Sequence, residues 1–229
     1  MKVSVCMGTK NEEKAVAGVI RDIRKAWPGA EIVIVDSSTD RTPQIARKLG
    51  ARVISQPPKG YGIALRAALL AAKGDIIVTT DCDGTYPMEK IPEMVALVEK
   101  GCDVVSASRF KGKGVIRNMP LFNQFGNRMF ALATNILYGT NITDITTGLR
   151  AFRKDVIRSF DWTENVGLSL ELLFKPARTG CKIAEVEMEY KPRLGEVKLN
   201  PITGGLGMLK TLIKYRIQPV KKIGQTKLG

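Results

Sequence analysis

An α/β protein, with βαβ units wound around a mostly parallel sheet flanked by helices, is the architecture expected of these 229 residues. Three observations lead there. Short apolar runs rich in β-branched residues alternate with helix-period segments of about a dozen residues. Helix starts follow strands directly, so strand ends and helix starts converge on one edge, where α/β folds put their ligands. A content of 44% hydrophobic and 25% charged residues suffices for one sizeable core.

In chain order, residues 3–6 open the sheet, and a helix is expected over 12–26, stopping before Pro28. A second strand over 31–35 leads to a helix with Asp40 as candidate N-cap and Pro43 in its first turn. Residues 52–54 form a third strand; Lys59-Gly60-Tyr61-Gly62 is a glycine-rich helix opening. It matches neither GxGxxG nor a P-loop, which disfavours a dinucleotide fold or kinase-type ATP site. Further strands fall at 76–80 and 104–107, then a long helix over 120–137 and a turn at Tyr138-Gly139. Residues 183–190 alternate as a half-buried strand whose Glu185, Glu187 and Glu189 are expected on the solvated face. The segment 204–229 is helical, then basic. The expected division is a catalytic domain over 1–200 and a basic amphipathic C-terminal extension over 201–229.

Composition narrows the chemistry. With no histidine, Ser-His-Asp and Cys-His nucleophiles and HExxH zinc sites are excluded. A formal net charge of +14 favours anionic partners. Nine Lys and Arg against one acid, Glu196, fall within residues 191–229. Among them Ile202, Leu206, Leu209, Leu212, Ile213 and Ile217 recur at helical spacing, suiting either an interfacial helix or one packed on the domain. Cys6, Cys82, Cys102 and Cys181 lack CxxC spacing and are expected as reduced thiols. No apolar run approaches the ~20 residues that span a bilayer, and the start lacks signal-peptide features, so a soluble or peripheral protein is expected.

The strongest local feature is the apolar strand 76–80 running into Asp81-Cys82-Asp83-Gly84. Two hard oxygen ligands at a strand end suit Mg²⁺ or Mn²⁺ bridging to a diphosphate, although aspartates also form turns there. Glu12 and Asp36 end strands on the same edge, where Asn11 and Asp40 equally suit helix capping. The loop 109–117 carries Arg109, Lys111, Lys113 and Arg117 among glycines, as either a phosphate clamp or a solvated loop. Trp27, Trp162 and the aromatics of the 120–137 helix are expected to pack.

Taken together, Gly8-Thr9-Lys10-Asn11-Glu12, Val35-Asp36-Ser37-Ser38, Lys59-Gly60-Tyr61-Gly62, Thr80-Asp81-Cys82-Asp83-Gly84, Ala107-Ser108-Arg109-Phe110, Thr143-Asp144-Ile145-Thr146-Thr147-Gly148-Leu149-Arg150 and Arg193-Leu194-Gly195-Glu196 resemble the family 2 glycosyltransferases. Their GT-A fold is Rossmann-like, and the chain is most similar to the dolichol-phosphate mannose synthase and polyprenyl-phosphate hexosyltransferase branch.

The resemblance implies an inverting transfer of hexose from a nucleotide diphosphate sugar, GDP-mannose or a UDP-hexose, to dolichyl or polyprenyl phosphate. It assigns donor binding to Thr9, Glu12, Asp36, Lys59, Asp81 and Asp83, and Mg²⁺ or Mn²⁺ to Asp81, Asp83 and Thr85. Catalysis falls to Asp83 and Arg109; the acceptor phosphate falls to Arg109, Arg117, Arg193 and Lys198. The expected location is peripheral, on the cytoplasmic face of an anionic membrane, directly or through a separate membrane subunit. A soluble hydroxyl acceptor is the alternative and would require a carboxylate base such as Glu171. Nucleic acid is not expected, since no recognition helix, aromatic RNA-binding pair or zinc module is visible.

Overall fold

The structure, a computed structural model, describes residues 1–111, 116, 119–192, 194, 201–220 and 222–223, with the backbone alone at 201–204 and 206. Strands β1 (Val3–Thr9), β2 (Glu31–Asp36), β3 (Arg52–Ser55), β4 (Ile76–Thr79), β5 (Val104–Ser108), β6 (Arg150–Arg153) and β7 (Ile183–Glu187) form one sheet in the order β3-β2-β1-β4-β6-β5-β7. All pairings are parallel except those of β6, which runs antiparallel between β4 and β5.

The apolar runs divide their residues between two faces, as a sheet covered on both sides requires. In β2, Ile32 and Ile34 face α1 (Val16–Ala26) and α4 (Ile91–Glu99), while Val33 and Val35 face α3 (Tyr61–Ala71), α6 (Lys154–Arg158) and α7 (Leu168–Arg178). The short α2 (Thr42–Lys48) contacts α1 and β3. A third cluster joins α5 (Leu121–Tyr138) and α7 to α8 (Pro201–Ile217), with Tyr138 stacked on Phe174 at 4.5 Å.

Several expectations change. β6 lay in a stretch with no assigned element, because Arg-Ala-Phe-Arg offers only two apolar residues and its pairing is entirely non-local. The first helix starts at Val16; Asn11, at φ +54°, instead accepts the Thr39 N–H at 2.9 Å and joins the ends of β1 and β2. Asp40 accepts the Thr42 N–H at 2.9 Å at the start of α2. Glu185 is not a solvated residue: its carboxylate accepts the N–H groups of Thr143 and Asp144 at 3.0 and 3.1 Å, and burial pushes its pKa up. Trp162 is buried as expected, whereas Phe122 and Phe125 of α5 lie in the open. Helix α8 divides: Leu212 and Tyr215 pack inward, while Leu209, Ile213 and Ile217 do not.

Candidate active site

Parallel pairing sets Thr9 opposite Asp36 and Cys6 opposite Thr79, so β1, β2 and β4 end on one edge. Asp36 is buried there, and its Oδ1 accepts from the Thr9 hydroxyl at 2.7 Å and the Ser38 hydroxyl at 2.6 Å. The Glu12 N–H donates to Thr42 Oγ1 at 2.8 Å, tying the loop after β1 to the start of α2. Buried Cys82 registers the convergence of acids: burial pushes its thiol pKa up, and Glu12, Asp83, Asp81 and Asp36 push it further. Glu12, Asp36, Asp81 and Asp83 thus lie at or just beyond the ends of β1, β2 and β4 on one edge of the sheet.

The left-handed Gly84 (φ +78°) closes the turn after β4. Thr85, expected as a metal ligand, donates its hydroxyl at 2.6 Å and its N–H at 3.0 Å to Asp83 Oδ1, so in the structure it orients that carboxylate. Asp81 accepts the Tyr61 hydroxyl at 2.5 Å and lies against the backbone of Gly148. Gly148 is held in turn: its N–H donates to Tyr86 Oη at 2.7 Å, and its carbonyl accepts the Thr79 hydroxyl at 2.7 Å. Burial, then the Asp81 charge, pushes the Tyr86 pKa up, so Tyr86 stays neutral. A methyl at position 148 would stand 2.8 Å from Asp81 Oδ2. Gly148→Ala is therefore expected to displace the Asp81 carboxylate and lower kcat about a hundredfold, the cost of a misplacement near 1 Å. Steady-state kinetics beside thermal unfolding checks this, the latter expected to change little.

Asp83 and Asp81 suit a hard divalent cation by charge and oxygen chemistry. Among the described residues no group of three or more Asp, Glu, Cys or His is placed to hold a metal. Two carboxylates without a closed protein cage match the way Mg²⁺ binds beside substrate phosphates.

Arg109, which directly follows β5, is buried and forked onto Asp144, with Nε to Oδ2 at 2.6 Å and Nη2 to Oδ1 at 2.8 Å. Burial opposes its charge, yet Asp144 holds its pKa above the usual arginine value; Asp144 is held below the usual carboxylate value against its own burial. Nη2 also donates to Thr146 Oγ1 at 2.6 Å, and that hydroxyl meets Asn127 Oδ1 of α5 at 2.6 Å. The neighbouring Arg150 is fully buried, hydrogen-bonded to Ser106 Oγ and the Ile145 and Ser169 carbonyls. Burial lowers its pKa to about 10, which leaves it charged at neutral pH.

The glycines at the start of α3 have a use that the sequence did not reveal. Asn165 lies across Gly60 and Gly62, accepting the Gly62 N–H at 3.0 Å and donating to the Lys59 carbonyl at 3.0 Å. Lys59 itself is exposed beside this contact. Asn165 sits in a segment without periodicity, more than 100 residues away, so no local signal marked it. Glu171 is buried on α7, where Lys175 (2.7 Å), the Tyr215 hydroxyl (2.5 Å) and the N–H groups of Thr163 and Glu164 share its two oxygens. Arg117, Arg193 and Lys198 lie outside the described residues.

Residues 4–160 match the family model described as glycosyl transferase family 2. The chain is 50% identical over 217 residues to a dolichyl-phosphate hexose transferase of Haloferax volcanii, covering 94% of each chain. It is also 30% identical over 215 residues to an undecaprenyl-phosphate mannosyltransferase of Micrococcus luteus, covering 87% of this chain and 88% of that one. Its fold resembles the crystal structure of glucosyl-3-phosphoglycerate synthase from Mycobacterium tuberculosis in complex with Mn²⁺, UDP and phosphoglyceric acid. The TM-score is 0.75 at 23% identity, over 95% of this chain and 79% of that one. That likeness establishes the GT-A fold.

Proposed function

The chain belongs to glycosyl transferase family 2, and on that premise we propose that it moves a hexose, with inversion, from a nucleotide diphosphate sugar to the phosphate of a dolichyl or other polyprenyl acceptor. The observation that carries this reading is the convergence of Glu12, Asp36, Asp81 and Asp83 at adjoining strand ends. The relatives named for transfer to prenyl phosphates support the acceptor class.

In this reading Thr9, Glu12 and Asp36 hold the nucleoside, with Lys59 at the rim. Asp81 and Asp83 hold Mg²⁺ or Mn²⁺ beside the diphosphate; the ion, when bound, offsets the charge gathering on the leaving group. Tyr61 and Thr85 keep the two carboxylates aimed, which lowers the reorganisation needed at reaction. An acceptor phosphate oxygen forms the new bond to the anomeric carbon while the bond from that carbon to the diphosphate oxygen breaks, and the nucleoside diphosphate departs. The acceptor is anionic at neutral pH, because a phosphate monoester has its second pKa at about 6, so no base has to remove a proton. Arg109, its charge offset by Asp144, holds the 144–146 loop in place beside the site; Arg117, Arg193 and Lys198 are assigned to the acceptor phosphate.

A soluble hydroxyl acceptor would need a base, and Glu171 is committed to Lys175, Tyr215 and the 163–164 backbone. Among the described residues no helix is long and apolar enough to cross a membrane; in this reading attachment is peripheral, at the cytoplasmic face, directly or through a membrane subunit. The test incubates the protein with labelled sugar nucleotides and a short-chain polyprenyl phosphate and counts label in the organic phase. Label from GDP-mannose or a UDP-hexose is expected there. Transfer confined to soluble hydroxyl compounds would overturn the reading.

A further inference from the structure

Helix α3 begins at a residue that cannot cap it. Gly60 stands at φ +114° and ψ +157°, a conformation that only glycine adopts readily, and glycine has no side chain to offer the N–H groups of a first helical turn. The cap comes from Asn165, 103 residues beyond Gly62: its Oδ1 accepts the Gly62 N–H at 3.0 Å, and its Nδ2 donates to the Lys59 carbonyl at 3.0 Å. A backbone N–H only donates and a carbonyl only accepts, so these partners fix the orientation of the amide and engage both its ends. The two bonds grip the chain on either side of Tyr61.

Tyr61 is 44% exposed, so packing alone does not hold its ring. Its place is set by its own main chain and by the hydroxyl that it donates to Asp81 Oδ1 at 2.5 Å. The same turn lies close over β1: a methyl at Gly8 would stand 3.1 Å from Ala64 Cβ and 3.5 Å from the Tyr61 carbonyl oxygen. A shift in the first turn of α3 would therefore reach both Asp81 and the end of β1. Asn165 is braced in its turn. Glu171 accepts the N–H groups of Thr163 and Glu164 at 3.0 and 2.9 Å, and Lys214 pairs with Glu164 at 2.6 Å. Gly167 lies so close to Thr211 that a methyl there would collide with its hydroxyl. The buried Glu171, which the reaction does not need as a base, thus has a use as an anchor of the loop that carries Asn165.

We propose that Asn165 is a positioning residue: by clamping Lys59 and Gly62 it holds Tyr61, and through the Tyr61 hydroxyl the Asp81 carboxylate, in the orientation that receives a divalent cation. The inference rests on the reading of Asp81 as a metal-holding carboxylate and deepens it by giving a role to a residue far from the strand ends. Without the clamp Tyr61 no longer holds Asp81 to one orientation, although no group that touches substrate has been removed.

The experiment compares Asn165→Ala, Tyr61→Phe and the double variant in the full chain. In the ligand-free protein the Gly62 N–H should exchange with solvent at least about fivefold faster in Asn165→Ala, the size of a lost helix cap, with thermal unfolding lowered only slightly. Mn²⁺ affinity, read from the paramagnetic resonance of the free ion in the presence of UDP or GDP, should fall about tenfold in each single variant. That is part of the roughly hundredfold that a displacement near 1 Å costs. The kcat should fall with it, while KM for a short-chain prenyl phosphate stays at its wild-type value. The double variant should be no weaker than the worse single one, because both substitutions cut the same chain of contacts. Losses that multiply in the double variant overturn the proposal, as does an unchanged Gly62 exchange rate or a wild type that binds no Mn²⁺. Wild type that binds Mn²⁺ yet transfers nothing to prenyl phosphate defeats the acceptor reading alone, and the coupling in Mn²⁺ affinity still decides the role of Asn165.

Discussion

Asp83→Ala is expected to lower transfer a thousandfold or more while thermal unfolding remains cooperative. Asp83 stands one turn beyond β4, and the Thr85 hydroxyl and N–H both point at its Oδ1. That local arrangement fixes the orientation of a carboxylate that, in the proposed reading, would hold the cation. A bound metal contributes several kcal/mol of transition-state charge stabilisation, and each 1.36 kcal/mol is tenfold in rate, which sets the expected size. The loss should appear in kcat rather than in folding, because Asp83 lies in the turn beyond β4 and outside the apolar clusters that hold the sheet and helices together. Excess EDTA should reproduce the loss in wild type, and Mg²⁺ or Mn²⁺ should restore it. Undiminished wild-type transfer in excess EDTA would refute the role given to Asp81 and Asp83.

The second large effect is on stability. Asp144→Ala leaves Arg109 buried with its fork unpaired, and breaking a buried ion pair on one side costs about 3–5 kcal/mol. Urea unfolding should show a lower midpoint with an unchanged slope. Replacing both partners with apolar residues, Arg109→Met with Asp144→Leu, should recover much of the loss, since no unpaired charge then remains. The pair also sets a pH dependence. Asp144 has its pKa depressed in the folded state, so its contribution is fully present above the ordinary aspartate value of about 3.9 and is lost as pH falls through the lower folded value. Wild type should lose part of its stability over that acid range, and Asp144→Ala should lose correspondingly less. A cost below about 1 kcal/mol for Asp144→Ala would show that water reaches the guanidinium and that the pair is not a dry one.

The legible part of the fold was the part written in local periods. Strands β2 and β4 announce themselves as apolar, β-branched runs because parallel strands covered on both faces need apolar residues at nearly every position, and β1, β3 and β5 carry shorter β-branched stretches. Asp81 and Asp83 were conspicuous because a buried strand runs straight into them. By contrast, Glu185 lay on the polar side of an alternating strand, and nothing in that alternation shows that the loop at 143–144 supplies two N–H donors for it. Asn165 and the Arg109–Asp144 fork are similar: each depends on residues brought together across 35 positions or more.

Helix α5 marks the boundary. Periodicity determines by itself that residues near 120–137 form a helix and that Phe122, Phe125, Met129, Leu132 and Ile136 share one side of it, because both follow from the 3.6-residue turn. Whether that side faces inward depends on which elements arrive against the helix. Here α7, α8 and the 143–148 loop occupy the side carrying Asn127, Ala131 and Thr134. Those contacts are made by residues later in the chain, so a local pattern carries the direction of the stripe relative to the helix axis but not relative to the core. The packing of three non-local elements, not hydrophobicity alone, turned Phe122 and Phe125 outward while Phe130, Ala131 and Tyr138 pack inward.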